Sequence, residues 1–207
     1  MNFSNKLDLS KFFKEFEDEQ YCIIKLDKNF PNYYEYSDID IFCYDVLKLA
    51  DKIFKNGQNY IDRGFEIKAT EVCLNTQVHI DFFIGGKLDF RFDLYQNIPD
   101  YKKILIKPAF YSSVIENRTA VQKQSETEFF KIYVPCKTDE LILRYIEFVE
   151  YYDIRADKIK HANYINSYAN KLDKKKFLDK LHFYTAIPEA KCDEKKINKT
   201  FIENSKF

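Results

Sequence analysis

The sequence predicts an α+β fold, with a mixed, largely antiparallel sheet flanked by helices and a C-terminal helical lobe. Three observations lead there. Short β-prone runs at 21–26, 37–43, 65–73, 78–84 and 87–95 are interrupted by a single amphipathic helical stretch after Asp45. Gly85-Gly86 joins the last two runs as a two-residue hairpin turn, which dictates antiparallel pairing there. From Thr138 onward, apolar residues recur at helical spacing instead. The expected division is an α+β domain over 1–136, a helical lobe over 137–187, and a charged, aperiodic, loosely ordered tail over 188–207.

Element by element, Leu9, Phe12, Phe13 and Phe16 form one helical face, with Asp8 or Ser10 as cap. The run YCIIKL reads as a strand, and KNFPNYYEY, broken by Pro31, reads as the loop into a second strand, SDIDIFC. Asp45 caps a helix with Val46, Leu47, Leu49, Ala50, Ile53 and Phe54 on its apolar side, closed by Asn56-Gly57. FEIKATEVC, VHIDFFI and KLDFRFDLY follow as strands. Between 96 and 136, the pieces YKKILIKP, FYSSVI and FFKIYVP read as short strands or covering loop. Thr138 then caps DELILRYIEFVEYY, and two further helices follow from Asp157 and Lys174.

Composition excludes several classes of function. Thirty-three basic residues balance 33 acidic ones, so there is no global field for long nucleic acid or an anionic membrane. Five scattered cysteines form no C-x-x-C pair and suit a reducing, cytoplasmic setting. His79, His161 and His182 have no second His or Cys at zinc-ligand spacing. There is no nucleophile elbow, Walker loop or dinucleotide glycine fingerprint.

The most informative stretch is Ser37-Asp38-Ile39-Asp40-Ile41-Phe42. Side chains alternate along a strand, so Asp38 and Asp40 share one face and Ile39 and Ile41 the other. Two carboxylates so close repel unless a cation lies between them, and oxygen ligands of this kind suit Mg2+ or Mn2+ bridging a nucleotide phosphate. The wet face of an ordinary strand would carry the same pair. A phosphoryl-transfer site also needs a third carboxylate on a neighbouring strand. Asp81 sits inside the otherwise apolar Val78-His79-Ile80-Asp81-Phe82-Phe83, where an acid is costly to bury without a partner.

A hairpin laid out from the Gly-Gly turn pairs Phe82 with Asp89, Asp81 with Phe90 and Ile80 with Arg91. Asp89, Arg91 and Asp93 would then line the opposite face as an ion network. A slip of register makes Asp93 the rival third carboxylate.

The order strand, loop, SDIDIF, helix, then HIDFF resembles the nucleotidyltransferase fold of the DNA polymerase β-like superfamily over roughly residues 20–95. The resemblance implies Asp38, Asp40 and Asp81 as catalytic metal ligands, with Mg2+ or Mn2+ as cofactor. It also implies a nucleoside triphosphate as donor, a small-molecule or protein hydroxyl as acceptor, and C-terminal helices that close over the nucleotide. Members usually carry a Gly-Ser pair ahead of the acidic strand as a phosphate cradle. Here no glycine lies between Tyr21 and Asp38. Ser37, Lys25, Arg91 and Arg144 are the candidate substrate and phosphate contacts, together with Lys158 and His161 at a helix start. The alternative is a non-catalytic binding module on the same fold, or an antitoxin-like protein with a protein partner.

Overall fold

The computed structural model describes residues 3–4, 6–97, 101–125, 128–168, 170–171 and 173–186. The expected tail at 188–207 lies outside the described residues. In chain order the elements are β1 (Phe3–Ser4), α1 (Leu9–Glu15), β2 (Tyr21–Ile23), β3 (Tyr33–Tyr34), β4 (Ser37–Cys43), α2 (Val46–Gly57), β5 (Phe65–Cys73), β6 (Gln77–Ile84) and β7 (Lys87–Tyr95). There follow β8 (Leu105–Ile106), α3 (Ala109–Glu116), β9 (Thr119–Gln124), β10 (Phe129–Val134), α4 (Lys137–Tyr151), α5 (Ile159–Ser167), α6 (Lys174–Tyr184) and β11 (Thr185–Ala186). The fold is mixed α+β with mostly antiparallel pairing, and no helix among the described residues is long and apolar enough to cross a membrane. Two compact units result: Met1–Asn97 with Tyr111–Cys136, and Ile98–Phe110 with Lys137–Phe207.

The first unit is built on a five-stranded sheet in the order β2-β4-β7-β6-β5. Its central pair, β4 and β7, is parallel, and the other neighbours are antiparallel. One face of this sheet is the core. Ile39 and Ile41 of β4, Phe90, Phe92 and Leu94 of β7, and Val78, Ile80 and Phe82 of β6 are all buried within it. Against them lies α1, whose start is fixed by the Asp8 carboxylate accepting the Ser10 amide at 3.2 Å. Its Phe12 meets Phe82 edge-on at 5.5 Å between ring centroids, and each buried ring of this kind contributes about 1.5–3 kcal/mol.

The second covering helix, α2, is capped as expected, with Asp45 accepting the Lys48 amide at 2.9 Å. It ends at Gly57, as Asn56-Gly57 suggested, but the chain does not turn away there. The chain runs through Gly57 into a 3-10 turn over Gln58–Arg63 and stops at Gly64, whose φ of 88° is the left-handed conformation that terminates helices. Gly57 serves close approach: a Cβ there would lie 2.8 Å from Ile67 Cδ1 and 3.0 Å from the Phe82 ring.

The β6–β7 hairpin turns at Gly85-Gly86 with φ of 56° and 74°, and Ile84 faces Lys87 as laid out from the sequence. Two pairs later the register departs from that layout. Phe83 faces Leu88 but Phe82 faces Phe90, so Asp89 is an extra, bulged residue. Beyond it Ile80 pairs with Phe92, Asp81 with Arg91, and His79 with Asp93. The cause is hydrophobic. Val78, Ile80 and Phe82 can share a face with Phe90, Phe92 and Leu94 only if one residue is inserted, and burying all six outweighs an unbroken ladder. Asp89 does not join Arg91 and Asp93 in an ion network; it accepts the Tyr33 hydroxyl at 2.6 Å and lies 3.4 Å from Lys6 Nζ.

Residues 96–136 differ from expectation in one piece. FYSSVI lies in helix α3, while FFKIYVP holds β10, which pairs with β9, a strand of mostly exposed residues that offers little alternation to read. In the second unit, α4 already begins at Lys137, so Thr138 lies inside the helix. Asp157 is not a helix cap but part of a 3-10 turn at Ala156–Lys158, paired with Arg155 at 3.1 Å. Leu141, Ile142 and Ile146 of α4, Ile165 of α5, and Phe177 and Leu181 of α6 are among the buried apolar residues here.

Candidate functional site

The face of the sheet opposite the core carries polar side chains in two cross-strand rows. Asp40 of β4 lies in register with Asp93 of β7, Asp93 with His79 of β6, and His79 with Thr70 of β5. One pleat along, Asp38 lies in register with Arg91, Arg91 with Asp81, and Asp81 with Lys68. The first row is acidic at its β4–β7 end; the second alternates in sign.

The bulge at Asp89 creates this arrangement, because it turns Arg91 and Asp93 onto the face already holding Asp38, Asp40, His79 and Asp81. Asp81, expected as the third carboxylate, is held in a two-pronged pair by Arg91, with Nε to Oδ1 at 2.5 Å and Nη2 to Oδ2 at 3.0 Å. Asp93 takes the place next to Asp40.

Asp93 is 7% exposed, and its Oδ1 accepts no hydrogen bond, although His79 Nε2 is 3.4 Å away and Arg91 Nε 3.7 Å. Its carboxyl is pushed up to about 7, first by burial and then by the charges of Asp40 and Asp38, with Arg91 pulling the other way. Burial and the Arg91 charge hold His79 below its usual value, so the imidazole is neutral near pH 7, with Gln77 Nε2 3.1 Å from its Nε2. Tyr95, in register with Phe42 one pleat beyond Asp40, hydrogen-bonds Asp40, and burial followed by the Asp40 and Asp93 charges pushes its hydroxyl up.

Asp38 is exposed and Asp40 half-buried, so the β4 end of the rows is open to solvent. Among the described residues, no three His, Cys, Asp or Glu side chains are gathered closely enough to be a ready-made metal cage. A cavity of about 340 Å³ lies at the other end of β4, beside Asp18, Glu19, Tyr44, Asp45 and Lys48. None of the row carboxylates lines it. Its Glu19 is already held by Lys48 at 2.8 Å and Lys52 at 2.6 Å.

The remaining sequence-derived candidates are placed elsewhere. Ser37 opens β4 and donates its hydroxyl to the Tyr34 carbonyl at 2.6 Å. Lys25 is half-buried just past β2. Arg144 grips Glu140 one turn back in α4, at 3.1 and 3.0 Å, and stacks over the Tyr164 ring at 3.8 Å. Lys158 is buried in an ion pair with Glu147, and His161 lies beneath it with Nε2 3.5 Å from the same carboxylate. The cluster expected to receive a phosphate at that helix start is therefore an internal charge pair. Lys68, Thr70, Gln77 and Tyr95 join the polar face without any local motif; only the register reveals them.

Comparison with known protein families, with curated proteins and with solved structures finds no match for this chain.

Proposed function

We propose that the chain is a divalent-metal-dependent nucleotidyltransferase-like enzyme, which moves a nucleoside monophosphate from a nucleoside triphosphate to a hydroxyl of a small molecule or protein. The observation that carries this reading is the pairing of Asp93 with Asp40 across adjacent parallel strands, with Asp38 on the same face and Asp93 Oδ1 accepting no hydrogen bond. Three carboxylates on one face, one of them buried with an oxygen that accepts no hydrogen bond, suit a site that receives positive charge.

The donor set fits Mg2+ or Mn2+, since all three are hard carboxylate oxygens. Among the described residues no ready-made cage is present, and Mg2+ characteristically uses one or two carboxylates plus substrate phosphates. Asp38, Asp40 and Asp93 would hold the ion. When bound, it would neutralise charge on the phosphates. The Asp93 carboxylate, made more basic than an ordinary one by burial and the Asp40 and Asp38 charges, is the one suited to accept the proton of the attacking hydroxyl. Equal numbers of acidic and basic residues favour a compact acceptor over long nucleic acid.

The test is pyrophosphate release with each of the four NTPs and Mg2+, using small hydroxyl compounds and protein substrates as acceptors. Turnover that disappears in Asp93→Asn supports the reading. A second reading, a non-catalytic binding module with a protein partner, is favoured by the glycine-free approach to β4. It predicts no pyrophosphate with any NTP and co-purification of a stoichiometric partner.

A further inference from the structure

The second polar row supplies what the approach to β4 lacks. We propose that Arg91, with Lys68 beyond it, binds the polyphosphate tail of the donor nucleotide, and that Asp81 is a positioning residue holding Arg91 for this purpose. The proposal rests on the reading of Asp38, Asp40 and Asp93 as the metal-holding group.

Arg91 projects from the same face as those carboxylates, between Asp38 and Asp81 in register. Its side chain is 31% exposed, so the guanidinium is held by protein yet reachable. Asp81 engages Nε and Nη2, leaving Nη1 outside the fork. A planar guanidinium pinned along one edge presents its other edge in fixed orientation, which suits phosphate oxygens. Pinning in advance also removes the rotamer cost of ordering a long side chain upon binding. This gives the Asp81 carboxylate, 5% exposed in a strand of apolar residues, a purpose other than metal binding.

Lys68 is exposed on the edge strand β5 and extends the row in register with Asp81. A chain of phosphates reaching from a metal beside Asp38 and Asp40 toward β5 passes over Arg91, with the Lys68 ammonium on the far side of the Arg91-neutralised Asp81. The unbonded, buried Oδ1 of Asp93 marks the metal end of that path. The substrate class is therefore a triphosphate in preference to a monophosphate, because only the longer chain spans both the metal end and the cations.

The experiment is calorimetric titration of inorganic tripolyphosphate with Mg2+ present, on the full chain. Circular dichroism and thermal midpoint serve as fold controls. Wild type binds; Arg91→Gln loses affinity at least tenfold; Arg91→Lys does not restore it; Lys68→Gln loses about threefold. Asp81→Asn weakens binding without changing the thermal midpoint of the Mg2+-free chain by more than a few degrees, and Asp81→Glu recovers most of the loss. The double variant Asp81→Asn/Arg91→Gln removes both members of the Asp81–Arg91 pair together and reads the phosphate contribution if a single variant misfolds. No tripolyphosphate binding to wild type, or Arg91→Gln and the double variant binding within twofold of it, overturns the proposal. If those variants bind normally while Asp38→Asn/Asp40→Asn loses the ligand, the row proposal fails and the nucleotidyltransferase reading stands. If Arg91→Gln loses tripolyphosphate while Asp38→Asn/Asp40→Asn keeps full Mg2+-dependent affinity, the row stands and that reading fails.

Discussion

Asp40 and Asp93 face each other across the one parallel pair of the sheet, and the second carboxylate has an oxygen that accepts no hydrogen bond. Such a pair is unfavourable for the isolated chain, and its cost is measurable. The Asp93 carboxyl is held at about 7 against an ordinary value of 3.8. Between those values the folded chain keeps a proton that the unfolded chain has released. Stability without metal therefore falls as pH rises from about 4 toward 7, and levels off above, by about 1.4 kcal/mol per pKa unit. Urea unfolding of wild type and Asp93→Asn at pH 5 and pH 8 isolates this group. The variant is expected to gain 1–3 kcal/mol relative to wild type at pH 8, estimated roughly from that linkage, and a difference independent of pH contradicts it.

Gly57 tests the packing of α2 on the sheet. Within a helix, Gly→Ala ordinarily stabilises by about 1 kcal/mol. Here the new methyl would meet Ile67 Cδ1, which can swing away, and the Phe82 ring, which is fully buried among Phe12, Phe65 and Phe92. Gly57→Ala is therefore expected to destabilise by about 1 kcal/mol net, overpacking exceeding propensity. A rise in the thermal midpoint contradicts the tight contact.

The Lys158–Glu147 pair in the second unit separates architecture from ligand binding. Both side chains are buried, 7% and 8% exposed, with His161 beside them. Lys158→Met removes the lysine charge paired with the buried Glu147 and is expected to cost about 3 kcal/mol. Lys158→Met/Glu147→Leu recovers most of that. Tripolyphosphate affinity is expected to stay within twofold of wild type in the double variant; a tenfold loss returns Lys158 to the phosphate-binding group.

Much of the fold was legible because its signals are local. Asp8 and Asp45 precede helical apolar spacing and do cap α1 and α2. Gly85-Gly86 marks its turn, and Asp38 and Asp40 show their shared face through the period of a strand. Register is not local. One bulged residue, Asp89, exchanged the faces of everything after it in β7, and so decided whether Asp81 or Asp93 stands next to Asp40. The sequence did contain a clue, since an unbulged hairpin would have set Phe90 and Phe92 against Asp81. Helix α3 was harder to read because FYSSVI is short and β-branched or aromatic at several positions. Lys158 and His161 looked like an exposed helix start because nothing adjacent in sequence shows that Glu147 reaches them from α4.

In the proposed function Asp38 and Asp40 are the metal-holding carboxylates on an open strand. The direct measurement is calorimetric titration of wild type and Asp38→Asn/Asp40→Asn with an NTP, with and without Mg2+. Asp38 is exposed and Asp40 half-buried, so the variant is expected to keep its thermal midpoint within a few degrees. The predicted result is Mg2+-dependent nucleotide binding by wild type that weakens at least tenfold in the variant. Equal Mg2+-dependent binding by the two proteins would contradict the central claim.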